Sequence, residues 1–108
     1  MKLNISERLY VIRILNDFKG SLDKLAVILE DIKQLPIIDD EWAAAEREII
    51  PEGENVSWKW DDARGGEKEI NLQKETKDYL YEIMKKKNDA GEFGIADRVV
   101  IGLFGKLK

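Results

Sequence analysis

Neither cysteine nor histidine occurs among the 108 residues of this chain. Without Cys there is no disulfide, no thiol nucleophile and no thiolate ligand. Without His there is no imidazole base, no Ser-His or Cys-His dyad and no zinc site of the usual kind. Catalysis, if there were any, would rest on carboxylates, Lys, Tyr or Ser alone. The absence of disulfides suits a reducing interior, so a cytoplasmic setting is expected. Long apolar runs are missing as well. The longest nearly apolar stretch, VVIGLFG at 99–105, falls far short of the roughly 20 residues that span a bilayer. The opening MKLNISERLY puts Glu7 and Arg8 where an export signal carries its apolar segment, so none is expected.

What is present is a balanced globular composition, 44% hydrophobic and 37% charged, of a length that fits one domain. The charge is uneven. Residues 1–54 hold seven basic and twelve acidic residues, residues 55–108 eleven and ten. Most of the excess lies between Pro36 and Glu54, where Asp39, Asp40, Glu41, Glu46, Glu48, Glu52 and Glu54 face only Arg47. Such a surface repels phosphate backbones, so direct nucleic-acid binding is disfavoured.

Periodicity divides the chain into a helix-dominated α+β domain of about five helices and one two-stranded antiparallel hairpin. Leu9, Ile12, Ile14, Leu15 and Phe18 recur at helical spacing, with either Ser6 or an Asn4–Glu7 capping box at the start and Gly20 at the end. Ser21 caps a second helix whose stripe is Leu22, Leu25, Ile28, Leu29 and Ile32, stopped by Pro36. A short acidic helix is expected from Asp39 or Asp40 to about Glu48. Val56, Trp58 and Trp60 then alternate with Ser57 and Lys59, Asp61–Gly66 supplies turn residues, and Ile70 and Leu72 alternate with Glu69 and Asn71. That pattern predicts a hairpin over about residues 56–72. A long helix over 73–88 and a glycine-interrupted one over about 95–104 complete the chain.

Few residues carry a chemical signature. Asp61, Asp62, Glu67 and Glu69 do not match a calcium loop, because the third and fifth positions counted from Asp61 are Ala63 and Gly65. Gly65-Gly66-Glu67-Lys68 lacks the spacing of a phosphate loop and lies between strands. Lys85, Lys86 and Lys87 complement the dipole at a helix end. No metal and no cofactor is expected. Trp58 and Trp60 have two readings, as the face of a hairpin buried against the first and fourth helices, or as an exposed platform for a partner. The acidic edge offers the other candidate surface. Asp39, Asp40 and Glu41 suit a helix start, whereas Glu46, Glu48, Glu52 and Glu54 lie toward or beyond its end, where the dipole disfavours them. Glu46, Glu48, Glu52, Glu54, Trp58 and Trp60 are therefore the candidate partner-binding residues, and a basic protein surface is the partner that their charge would favour.

The order of elements resembles a group of short uncharacterised proteins carried by bacteriophages and prophages of Gram-positive bacteria. The likeness lies in Ser6-Glu7-Arg8-Leu9, then Leu22, Leu25 and Ile28, Glu41, Trp58, Lys68-Glu69-Ile70, Leu72, Leu80 and Phe104, most of them packing residues. The resemblance implies a phage or bacterial setting and no catalytic residues. The expectation is a non-enzymatic accessory protein that binds another protein, with a symmetric homodimer as its assembly. The alternative is a small carboxylate-dependent enzyme using a divalent metal.

Overall fold

The computed structural model describes residues 1–107 and is a helix-dominated α+β domain. Among those residues the order is β1 (Lys2–Leu3), α1 (Ile5–Asn16), α2 (Leu22–Ile32), α3 (Asp39–Ala44), β2 (Glu48–Glu52), β3 (Asn55–Lys59), α4 (Asp62–Gly65), β4 (Lys68–Glu69), α5 (Lys74–Asp89), a 3-10 turn (Ile95–Asp97) and α6 (Val99–Leu107).

Local chemistry explains most boundaries. Of the two candidate caps of α1, the Asn4–Glu7 box is the one formed: the Glu7 N–H donates to Asn4 Oδ1 at 2.8 Å, and the Asn4 N–H to Glu7 Oε1 at 3.0 Å. Ser6 is left to bond elsewhere. Ser21 caps α2 through the Lys24 N–H. The apolar stripe of α2 is narrower than its spacing implies. Ile28 is buried, while Leu22 and Leu29 face solvent and Asp31 takes an inward place. Helix α5 turns Thr76, Leu80 and Met84 inward. The glycine-interrupted α6 persists by packing, with Val100 and Leu103 buried and Lys106 ion-paired to Glu7 and Glu67. The core joins α1, α2, α5 and α6 around Val11, Leu15, Ile28, Leu80, Met84 and Leu103.

The strands differ from the expected hairpin. Residues 61–66 do not turn β3 back onto 67–72. Asp61 caps a helical turn instead, accepting from the Ala63 N–H at 3.0 Å, and the chain carries on to pair Lys68 with Leu3 and Glu69 with Lys2. Ile70 and Leu72 are buried as their alternation implies, but in the helical core. The partner of β3 lies before it in sequence: Glu48 pairs with Lys59, Ile49 with Trp58, Ile50 with Ser57, Pro51 with Val56 and Glu52 with Asn55. Gly53 and Glu54 close this hairpin, and Gly53 takes a φ of 65°, as the first position of a two-residue hairpin turn requires. Helix α3 ends at Ala44, earlier than expected, because Glu46 adopts a φ of 55°. That left-handed conformation costs a residue with a Cβ about 1–2 kcal/mol, and it redirects the chain into β2.

Gly65 sits where the base of this hairpin meets α1. A Cβ there would lie 2.7 Å from Ile5 Cδ1 and 3.1 Å from Ala45 Cβ, and both neighbours are fully buried. Gly65→Ala is therefore expected to destabilise by about 1–3 kcal/mol through overpacking. A urea midpoint equal to that of wild type would contradict this close approach.

Candidate protein-binding hairpin

The β2–β3 hairpin is anchored only at its base. The Asp61 N–H donates to the carbonyl of the buried Ala45 at 2.8 Å, and the Glu46 carboxylate pairs with Arg64 of α4. Beyond that clamp the strands pair only with each other. The projection is visible in the dimensions. The radius of gyration is 14.8 Å, with extents of 40 × 31 × 28 Å, against about 13 Å for a compact domain near this length.

Strand alternation gives the hairpin two unlike faces. Ile49, Pro51, Val56 and Trp58 share one face, and all four are exposed; Ile49 and Val56 each keep 61% of their surface, and Trp58 keeps 52%. Glu48, Glu52, Asn55, Ser57 and Lys59 occupy the other face, with Ile50 among them. The expected burial of the tryptophan face is thus not found for Trp58. The hairpin formed with β2 lies outside the helical core, and of the helices only α3 reaches Trp58, through the edge of Trp42.

Trp60 is half-buried at the base. Its indole Nε1 donates to Asp62 Oδ1 at 2.9 Å and to Ser6 Oγ at 3.2 Å, and Ser6 Oγ in turn donates to Asp62 Oδ2 at 2.6 Å. Trp60 therefore fixes the hairpin to the first turn of α1. Trp42, from α3, stands edge-on to Trp58 at 6.3 Å and to Trp60 at 5.4 Å. The Arg47 guanidinium lies 4.7 Å from the Trp58 ring centre and 4.9 Å from that of Trp42, a double cation–π contact. These contacts hold the outer indole in place without covering it. Trp and Arg are among the residue types most enriched where interfaces concentrate their binding energy.

The structure brings the six sequence candidates to this one element, though it changes the reason for their charge. None of the four glutamates lies on α3, so the helix-dipole cost argued from sequence falls away. Glu46 pairs with Arg64, and Glu48 stands across from Lys59, so both have local counter-charges. Glu52 precedes the turn at the far end and Glu54 lies within it, both with no ion-pair partner among the described residues. Sequence reading missed Trp42, Arg47, Ile49 and Pro51 as members of this surface. Ile49 and Pro51 do alternate ahead of Gly53, but a helix expected to run to about Glu48 leaves little room for a strand before that glycine.

Among the described residues no three Asp or Glu side chains converge in a way that could hold a metal ion. No helix among them is long and apolar enough to cross a membrane. Comparison with protein-family models, with curated proteins and with solved structures finds no match to this chain.

Proposed function

We propose that this chain is a non-enzymatic accessory protein of a phage or bacterial cytoplasm, which acts by binding another protein through the β2–β3 hairpin. The observation that carries this reading is the exposed apolar face of Ile49, Pro51, Val56 and Trp58 on an element that contributes little to the core. A contiguous apolar patch on a projecting element is what partner surfaces present. Its centre is apolar and aromatic, Arg47 lies within it, and Glu52 and Glu54 supply a charged rim. The rim favours a basic partner and speeds its encounter.

Trp58→Ala separates binding from folding. Trp58 is half-exposed, so its loss should cost about 0.5–1.5 kcal/mol of stability, the worth of its ring contacts. As a central anchor it should cost at least about 2 kcal/mol of affinity, roughly thirtyfold or more. Capture from host lysate with wild type and with Trp58→Ala tests the reading. Proteins retained by wild type and lost by the variant support it; the same proteins retained equally by both refute it. Replacing Glu52 and Glu54 by Gln should leave the melting temperature unchanged while slowing association at low salt.

A further inference from the structure

The two edges of the β2–β3 hairpin are chemically unequal. In a hairpin closed by two residues, the pair flanking the turn exchanges hydrogen bonds and bonded pairs alternate from there. The bonded pairs are therefore Glu52 with Asn55, Ile50 with Ser57 and Glu48 with Lys59, and the backbone groups of Ile49, Pro51, Val56 and Trp58 point outward. On the β2 edge Pro51 has no N–H to offer. Symmetric pairing of β2 with its own copy about the central Ile50 would also set Glu48 against Glu52, like charge against like. Neither obstacle exists on β3. Val56 and Trp58 each present an outward N–H and C=O, and no described strand pairs with them.

We propose that the β3 edge is a homodimerisation edge, pairing antiparallel with β3 of a second copy about Ser57. This register sets Val56 of each copy against Trp58 of the other, so four outward groups per copy make four interchain hydrogen bonds. It also matches every row across the resulting four-stranded sheet. On one face each row reads Ile49, Trp58, then Val56 and Pro51 of the second copy, apolar throughout. On the other, the outer rows read Glu48, Lys59, then Asn55 and Glu52 of the second copy. Each Lys59 there lies between a carboxylate and an amide oxygen, and no like charges are neighbours. The central row is Ile50, Ser57, Ser57 and Ile50. Pairing turns an isolated two-stranded hairpin, marginal in water, into a four-stranded sheet. The contact is small, so the dimer belongs with weak, concentration-dependent associations. The inference stands apart from the partner-binding reading, because it uses the strand edge and leaves the apolar face open, doubled in extent.

The absence of native Cys makes the register directly testable. Facing Ser57 residues form a non-hydrogen-bonded pair with Cα atoms about 4.5 Å apart, within the roughly 4.4–6.8 Å that a disulfide spans. Residue 50 of the two copies is separated by three strand spacings, about 14 Å. Under mild oxidation Ser57→Cys should form a covalent dimer at least tenfold faster than Ile50→Cys at equal concentration. Val56→Pro removes an outward N–H without touching a bond of the hairpin, so adding it to Ser57→Cys should lower the rate to that of Ile50→Cys. In sedimentation the wild type should become dimeric toward millimolar concentration, and Val56→Pro, with an unchanged circular dichroism spectrum, should stay monomeric. Equal cross-linking of Ser57→Cys and Ile50→Cys, a wild type that stays monomeric to near-millimolar concentration, or a dimer that survives Val56→Pro would each overturn the proposal.

Discussion

Replacing Glu41 by Ala is expected to destabilise the protein by about 3 kcal/mol, although Glu41 lies on a short helix at the surface. The cost comes from what the carboxylate holds. Arg8 is fully buried in α1, and its guanidinium bonds to Glu41, while its Nε and Nη1 have no partner among the described residues. Removing one member of a buried pair leaves an uncompensated charge and typically costs about 3–5 kcal/mol. The lower end applies because the Glu41 side chain keeps 17% of its surface exposed, so water can reach the vacated place. Arg8→Met should cost far less, since an apolar side chain of similar length removes the charge together with its unsatisfied donors. Urea denaturation of both variants gives the comparison; a milder loss in Glu41→Ala than in Arg8→Met would refute this account of the pair.

The same pair sets a pH dependence. The hydrogen bond from Arg8 holds the Glu41 carboxyl below the usual carboxylate range, with the Ile38 N–H and the Arg8 charge acting in the same direction and burial opposing them. A carboxyl whose pKa is depressed by folding contributes stability at neutral pH, above its unfolded value. That contribution is lost as pH falls through the folded value. The stability of wild type should therefore decline on acidification more steeply than that of Glu41→Gln, and the two curves should converge in acid. Parallel curves would show that Glu41 is not the group responsible.

Much of the helical frame was legible in the sequence because local and tertiary signals agree there. Ser21 caps α2, which ends at Ile32 ahead of Pro36, and the long helix expected over 73–88 forms as α5, with Thr76, Leu80 and Met84 on its inner face. The strands were less legible because two turn signals competed. Gly65 and Gly66 read as a hairpin loop, yet Asp61 can cap a helical turn, and Gly65 is needed for its close approach to Ile5. The pairing of β4 with β1 joins Leu3 to Lys68 and Lys2 to Glu69, separations along the chain that no local pattern reveals. Of the candidate site, the residue types were readable and the geometry was not. Val56 and Trp58 announce an apolar face, but whether a helix covers it depends on which strand pairs with β3. The strand that does so places that face in solvent.

The second large effect is expected at Asp31, which occupies a place on α2 where the apolar stripe would otherwise pass. Its carboxylate is buried, at 2% exposure, and it works on another helix. The Gln73 N–H at the start of α5 donates to Oδ2 at 3.0 Å, Thr76 Oγ1 donates to the same oxygen, and Gln73 Nε2 reaches Oδ1 at 3.4 Å. Gln73 makes no side-chain cap of its own, so Asp31 supplies from α2 the acceptor that a helix start needs. The negative charge is also favoured at that end of the α5 dipole. Asp31→Ala removes two or three charge-assisted bonds, worth about 1.5–3 kcal/mol each in isolation but not additive, and leaves the fully buried Thr76 hydroxyl without a partner. The expected cost is about 3–5 kcal/mol, a fall in melting temperature of roughly 12–30 °C for a domain of this size. Part of that loss belongs to the stranded hydroxyl rather than to the missing bonds. Thr76→Val added to Asp31→Ala should therefore recover about 1 kcal/mol, even though Thr76→Val alone destabilises the wild type. Thermal melts of the four proteins complete the cycle. If the two single losses simply add, Asp31 and Thr76 do not act as a unit, and the tie between α2 and α5 runs through apolar packing alone.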